Sequence, residues 1–260
     1  MENLFDSDGR YIIESEEYGY LYSRKYFALD KDNRDKINEK KIFTNLKENF
    51  NEKILISEQN FSDQLKEIDK KINKNEDYQN LKNCISVPFI IPKMESSDIG
   101  TNLEKTLLPA LQSSYKKKFP EYDCINHIKD DFKGLMKLSK ESRCEKIVEN
   151  CLKKNIVGKI YFSLNEFSFL GAEKAISNMD KNFNLSGPYE VMSALVGVPD
   201  LLYNEEKYPP LLWFSAIKHA ENTNIGFHIE PYGYNLHLNK RSHLNLVAEY
   251  WWHSISSVLL

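Results

Sequence analysis

Residues 225–240, Ile-Gly-Phe-His-Ile-Glu-Pro-Tyr-Gly-Tyr-Asn-Leu-His-Leu-Asn-Lys, read as a β-hairpin folded at Tyr232-Gly233. Successive strand side chains point to opposite faces, so Phe227, Ile229, Leu236 and Leu238 share one face and His228, Glu230, Asn235 and His237 the other. A two-residue loop there sets His228 opposite His237 and Glu230 opposite Asn235, about 5 Å apart across the ribbon. The apolar face calls for a core beneath it. The polar face is either ordinary solvated surface or a site: imidazole and carboxylate groups held on strands suit zinc or iron, and a histidine that titrates near neutrality suits acid–base work. His228, Glu230 and His237 are therefore the candidates both for catalysis and for a divalent metal. No other cofactor is implied.

Downstream, Ser242 is placed to cap a terminal helix striped by Leu244, Val247, Trp251, Ile255 and Val258. Tyr250 and Trp252 fall off that stripe, and with Tyr232 and Tyr234 at the hairpin tip they form a candidate partner-binding surface. Upstream, Cys84–Ile91 and Val157–Leu164 are apolar runs of strand length, and Ile54-Leu55-Ile56 is a shorter one. Between them lie helical stripes: one behind Ser62, one opened by a capping box at Thr101-Asn102-Leu103-Glu104 and interrupted by Pro109, and one from Ser139 to about Asn155. Two more follow, striped by Ala172, Ala175, Ile176 and Met179, and opened by Gly187-Pro188 and stopped by Pro199. The charged stretch Asp30–Lys41 leads into a further helix through Ile37, Ile42, Leu46 and Phe50. Residues 15–29 fit either a tyrosine-alternating strand or a helical stripe, with a slight lean to helix. Strands alternating with helices predict an α/β (or α+β) fold: a mixed sheet with parallel β-α-β units in the first two thirds, and an antiparallel hairpin plus terminal helix at the C-terminus. Residues 1–260 read as one globular domain, with a seam near 119–140.

Composition excludes several classes. At 260 residues, 41% hydrophobic and 12% aromatic, the chain has enough large apolar groups for a core and too many for a disordered protein. Lys plus Arg number 35 against 38 Asp plus Glu, without a long basic block, so charge does not indicate nucleic acid. No leader-like N-terminus or membrane-length apolar run is evident, which predicts a soluble, cytoplasmic protein without a membrane partner. Cysteines 84, 124, 144 and 151 show no metal-type spacing and read as buried thiols; Cys124 with His127 three residues on is a weak nucleophile–base pair. The phosphate-loop, dinucleotide, serine-elbow and zinc-helix signatures are absent from the chain.

In open α/β sheets ligands bind beyond the carboxyl ends of strands, which here carry Ser57-Glu58-Gln59, Lys93-Met94-Glu95-Ser96-Ser97-Asp98 and Asn165-Glu166. Lys93, Glu95 and Asp98 are thus a second candidate site. The functional expectation is a non-catalytic recognition or accessory protein that binds a protein through its C-terminal aromatic and histidine hairpin surface. The alternative is a hydrolase or transferase with its site at His228, Glu230 and His237 or at Lys93–Asp98.

Overall fold

The computed structural model describes residues 3–27, 29 and 37–260. Its strands are β1 (Ser86–Ile91), β2 (Cys124–Asn126), β3 (Met136–Leu138), β4 (Ile156–Asn165), β5 (Asn184–Leu185), β6 (Leu211–Trp213), β7 (Ile217–His219), β8 (Ile225–Tyr232), β9 (Asn235–Ser242) and β10 (Trp251–Val258). Its α-helices are α1 (Glu39–Phe50), α2 (Glu58–Ile72), α3 (Ile99–Asn102), α4 (Leu108–Lys118), α5 (Glu145–Cys151), α6 (Phe169–Ser177) and α7 (Pro188–Gly197). The main sheet runs β1-β4-β10-β6-β8-β9-β2, with β5 also on β10, and β3 pairs separately with β7. Parallel and antiparallel pairs occur together, as an α/β mixed sheet requires.

The expected parallel β-α-β units of the first two thirds do not form. β1 and β4 are antiparallel, and the parallel pairs are β6–β10 and β2–β9. A parallel return needs one crossover that brings the chain back in the same direction. The stretch between β1 and β4 instead holds α4, β2, β3 and α5, and α5 delivers β4 from the opposite end.

The terminal helix is likewise a strand, β10. It lies between β4 on one side and β5 and β6 on the other, with every residue from Trp251 to Ser257 buried. Burial on both faces erases the alternation that marks a strand, and the remaining apolar spacing imitates a helix. Residues 15–27 and 29 are neither helix nor strand, and Ile54–Ile56 is irregular, the Leu55 amide donating to Asn155 Oδ1 at 2.6 Å. The charged stretch Asp30–Lys41 lies largely outside the described residues; α1 follows it, capped by Asn38.

Caps also sit earlier than expected. Ser57, not Ser62, caps α2, and Asp98, not Thr101, caps α3 by accepting from the Thr101 amide and hydroxyl, each at 2.7 Å. A π-helical stretch, Leu103–Leu107, joins α3 to α4 just ahead of Pro109, a residue with no N–H for the helix ladder. In place of one long helix behind Ser139, a short turn at Lys140–Ser142 precedes α5.

α7 is buried along its whole length and packs against β1, α1 and α4. A helix predominantly apolar around its circumference belongs inside a protein. The hairpin's apolar face, Phe227, Ile229, Leu236 and Leu238, joins this main core with no exposed surface. On the other side of the sheet Phe169, Leu211, Trp213, Leu244 and Trp251 form a smaller aromatic cluster. Among the described residues no helix is long and apolar enough to cross a membrane.

Candidate functional site

The hairpin closes one step beyond its expected register. Tyr232 pairs with Asn235, Glu230 with His237 and His228 with Asn239, so the loop is Gly233-Tyr234. Both loop residues have positive φ, 55° and 65°, the turn whose twist matches the flanking strands. Tyr234 tolerates this with its carbonyl held by the Tyr115 hydroxyl. A shift of this kind leaves each residue on its face, so the division into an apolar and a polar face stands while the pairs change.

The polar face is not uniformly solvated. His228 is 0% exposed and packs edge-on against Trp213, ring centroids 4.8 Å apart. Its Nε2 lies 3.3 Å from Glu230 Oε1, within ion-pair distance, yet neither imidazole nitrogen has a well-formed hydrogen bond. Burial chiefly lowers the His228 pKa, against the pull of Glu230. Burial works against the Glu230 charge, but His228 and then Arg241 outweigh it and hold the carboxyl below its usual range. His237 turns away to His127, Nδ1 to Nε2, at 2.7 Å. His228, Glu230 and His237 thus share a face without converging on one point. Among the described residues no group of three or more His, Cys, Asp or Glu side chains is arranged to hold a metal.

The other candidates disperse too. Glu95 pairs with Lys53 at 2.7 Å, and Asp98 is engaged as a helix cap and by the Gly134 amide. Cys124 is buried, and burial, then Asp123, pushes its thiol up to about 12, so it is no thiolate nucleophile. Of the four partner-surface aromatics, Tyr232 and Tyr234 are 77% and 41% exposed, Tyr250 is half-buried against Arg241, and Trp252 is only 6% exposed.

Trp252 belongs instead to a cavity of about 390 Å³ between the N-terminal segment and one end of the sheet. The segment is laid down by sequence-specific contacts rather than by regular structure. The Tyr11 amide donates to the Ser163 carbonyl, Tyr20 to Glu166, and Ser168 back to Tyr18. Arg10, 4% exposed, donates through its guanidinium to the carbonyls of Asn165, Leu21 and Tyr20 and stacks over Phe167, its charge spent on the strap itself. Glu166, in the left-handed region at φ 62°, accepts the Arg24 amide with both carboxylate oxygens, at 2.9 and 3.0 Å. Burial pushes the Glu166 pKa up, against these contacts and Arg10.

Two glycines let the strap approach. A Cβ on Gly171 meets the Tyr18 carbonyl oxygen at 1.9 Å, and one on Gly9, φ 83°, meets the Cys84 amide nitrogen at 2.3 Å. Gly171→Ala is accordingly expected to lift the strap, the Ser168 and Tyr20 amides exchanging with solvent at least about tenfold faster by NMR. Unchanged exchange there would show that the strap is not held by this contact.

The cavity walls are mostly apolar: Leu21, Phe27, Leu29, Ile85, Phe162 and the Trp252 ring. Asp6, Asp8, Arg10, Lys25 and Asn165 contribute polar groups, and Lys25 pairs with Asp8 at 2.7 Å. Asn165 and Trp252 are cross-strand partners on β4 and β10. Asn165 Oδ1 and Trp252 Nε1 are both buried and both lack a hydrogen-bond partner. A buried acceptor and a buried donor, each unsatisfied, carry a desolvation cost of about 1–3 kcal/mol per group.

In the sequence the two residues stand in unrelated places. Asn165 stands at a strand end, and Trp252 stands off an apolar stripe. What brings them together is the antiparallel β4–β10 pairing, which the helical reading of residues 242–258 conceals. The chain matches no family model, no curated protein and no solved structure.

Proposed function

We propose that the protein is a recognition protein that takes a small ligand into the cavity beneath its N-terminal strap. The observation carrying this reading is a cavity of about 390 Å³ with mixed apolar and polar walls, lined among others by the cross-strand pair Asn165 and Trp252, whose Oδ1 and Nε1 are buried without hydrogen-bond partners. That volume falls in the range of small-molecule sites, which combine apolar walls with a few placed polar groups. One unsatisfied acceptor and one unsatisfied donor suit an amide on an apolar body, its N–H toward Asn165 and its carbonyl toward Trp252. Benzamide is a simple probe of that chemistry. Trp252→Phe keeps a ring and removes the donor, so benzamide affinity should fall about tenfold, and Asn165→Leu should cost a similar factor. Ligand-detected NMR titration checks this; equal affinity in wild type and both variants would remove the cavity as the site.

A second reading keeps recognition at the hairpin, favoured by the exposed Tyr232 and Tyr234, the latter packed on Tyr122 and Tyr203 with ring centroids 5.4 and 5.3 Å apart. A protein partner would meet that tip. The catalytic alternative draws less support, because His228 has no exposed surface from which to reach a substrate. Four buried cysteines in thiol form support a cytoplasmic setting, where thiols stay reduced.

A further inference from the structure

The His127–His237 contact lies outside the cavity and outside the grouping of His237 with His228 and Glu230. His237 stands on β9, and His127 follows β2, the strand that pairs parallel with β9 and sets Ile125 beside His237. The backbone locks this corner: His127 donates its amide to the Leu238 carbonyl at 2.9 Å, Leu236 donates to Asp123 at 2.9 Å, and Gln112 holds the Cys124 carbonyl at 3.0 Å. The two imidazole planes lie 6° apart with centroids 4.8 Å apart, while His127 Nε2 and His237 Nδ1 are 2.7 Å apart. Close nitrogens with distant centroids mean that the rings meet end to end in one plane, not face to face. Each directs an in-plane nitrogen at the other.

We propose that His127 Nε2 and His237 Nδ1 form a two-histidine binding site for a zinc-class divalent transition metal. In the metal-free pair one N–H···N bond joins the two rings. On binding, the shared proton moves to the other nitrogen of its ring, and both lone pairs turn to the metal. Zinc–nitrogen bonds of about 2.0–2.1 Å at a tetrahedral angle put the two nitrogens about 3.3 Å apart with their rings turned toward a common point, a widening and rotation that the exposed His127 side chain supplies. Imidazole donors select zinc, copper or nickel over calcium and magnesium, which take oxygen. Glu230, directly across from His237 on β8, adds a carboxylate to the same face. Two protein ligands leave coordination positions open to water or to a donor atom from a docked molecule. Tyr232, its ring 5.8 Å from that of His237, flanks them.

Tag-free protein titrated calorimetrically with zinc alone, at concentrations up to about 0.1 mM, is expected to bind one ion per chain and to gain thermal stability with zinc. His127→Ala and His237→Ala should each weaken that binding at least about tenfold, and the double variant should abolish it. His219→Ala and His243→Ala serve as controls and should leave it unchanged. With copper in place of zinc, electron paramagnetic resonance should show two imidazole nitrogens on the metal. No saturable binding in this range, or binding that survives in the double variant, would overturn the proposal. So would a copper spectrum with fewer than two nitrogens.

Discussion

Glu190→Gln is expected to stabilise the protein by about 3 kcal/mol at pH 8 and by far less at pH 4. Glu190 is the third residue of α7, completely enclosed, with Oε2 accepting the Gly187 amide at 2.9 Å and Oε1 without a partner. Burial pushes its carboxyl up to about 7, against the opposing effect of backbone hydrogen bonds. The unfolded chain gives up this proton near the ordinary glutamate value of 4.5. Between those values the native state holds a proton that the unfolded state has lost, so stability falls as pH rises. Holding the carboxyl at about 7 instead of 4.5 is equivalent to about 3 kcal/mol, fully lost above pH 7. Glutamine resembles the protonated form and still accepts from Gly187, so it removes the penalty without removing the cap. Urea midpoints at pH 4, 6 and 8 measure the effect, and a difference between variant and wild type that does not change with pH would show that Glu190 is ionised at no cost.

His253 has the opposite sign and a larger span. Its ring is enclosed between strands, Nδ1 at 2.8 Å from the Ser215 hydroxyl and Nε2 at 3.1 Å from the Phe167 carbonyl. A carbonyl only accepts, so Nε2 carries the hydrogen and Nδ1 accepts from Ser215; the ring is held neutral. Burial chiefly lowers its pKa, to about 3, against the Phe167 hydrogen bond. Below about pH 6.5 the unfolded chain binds a proton that the native ring refuses, so stability falls with pH, by about 5 kcal/mol once pH reaches 3. His228, also lowered by burial, adds to the same loss. From about pH 7 to 4.5 the Glu190 gain and the His253 loss nearly cancel. Below 4.5 only the loss continues, by about 2 kcal/mol more as pH reaches 3. Stability is therefore expected to be nearly flat from about pH 7 to 4.5 and to fall below that. His253→Gln, with an amide in place of the ring, should be less stable at pH 7 yet lose less between pH 6 and 3. Parallel pH profiles for variant and wild type would contradict the assignment.

Legibility in the sequence follows the strength of local signals. β1, β4, α6 and α7 announce themselves by apolar runs bounded by proline, glycine or a capping serine, because those signals act within a few residues. The faces of the hairpin are readable for the same reason, since a period of two survives any even shift of register. The register itself is not readable, because it depends on Tyr234 taking a positive φ under the Tyr115 hydroxyl, a contact from α4. β10 is hidden by burial on both faces, and with it the neighbour that places Trp252 beside Asn165. The strap, residues 4–27, carries two competing periodic signals, tyrosine alternation and a helical stripe, and follows neither. Its course is fixed by Arg10, Gly9, Gly19 and single amide contacts to β4 and α6, which are long-range and leave no local trace.

The cavity is the centre of the account, and the indole N–H of Trp252 reports on it most directly. The chain contains three tryptophans, so three indole signals are expected in a nitrogen–proton correlation spectrum, and Trp252→Phe identifies the one that matters. On titration with benzamide, the account predicts that the Trp252 signal moves downfield and saturates as its N–H gains an acceptor, while the Trp213 and Trp251 signals stay near their free positions. A Trp252 signal that remains in place at benzamide saturation, or that moves no more than the other two, would contradict ligand binding at this site.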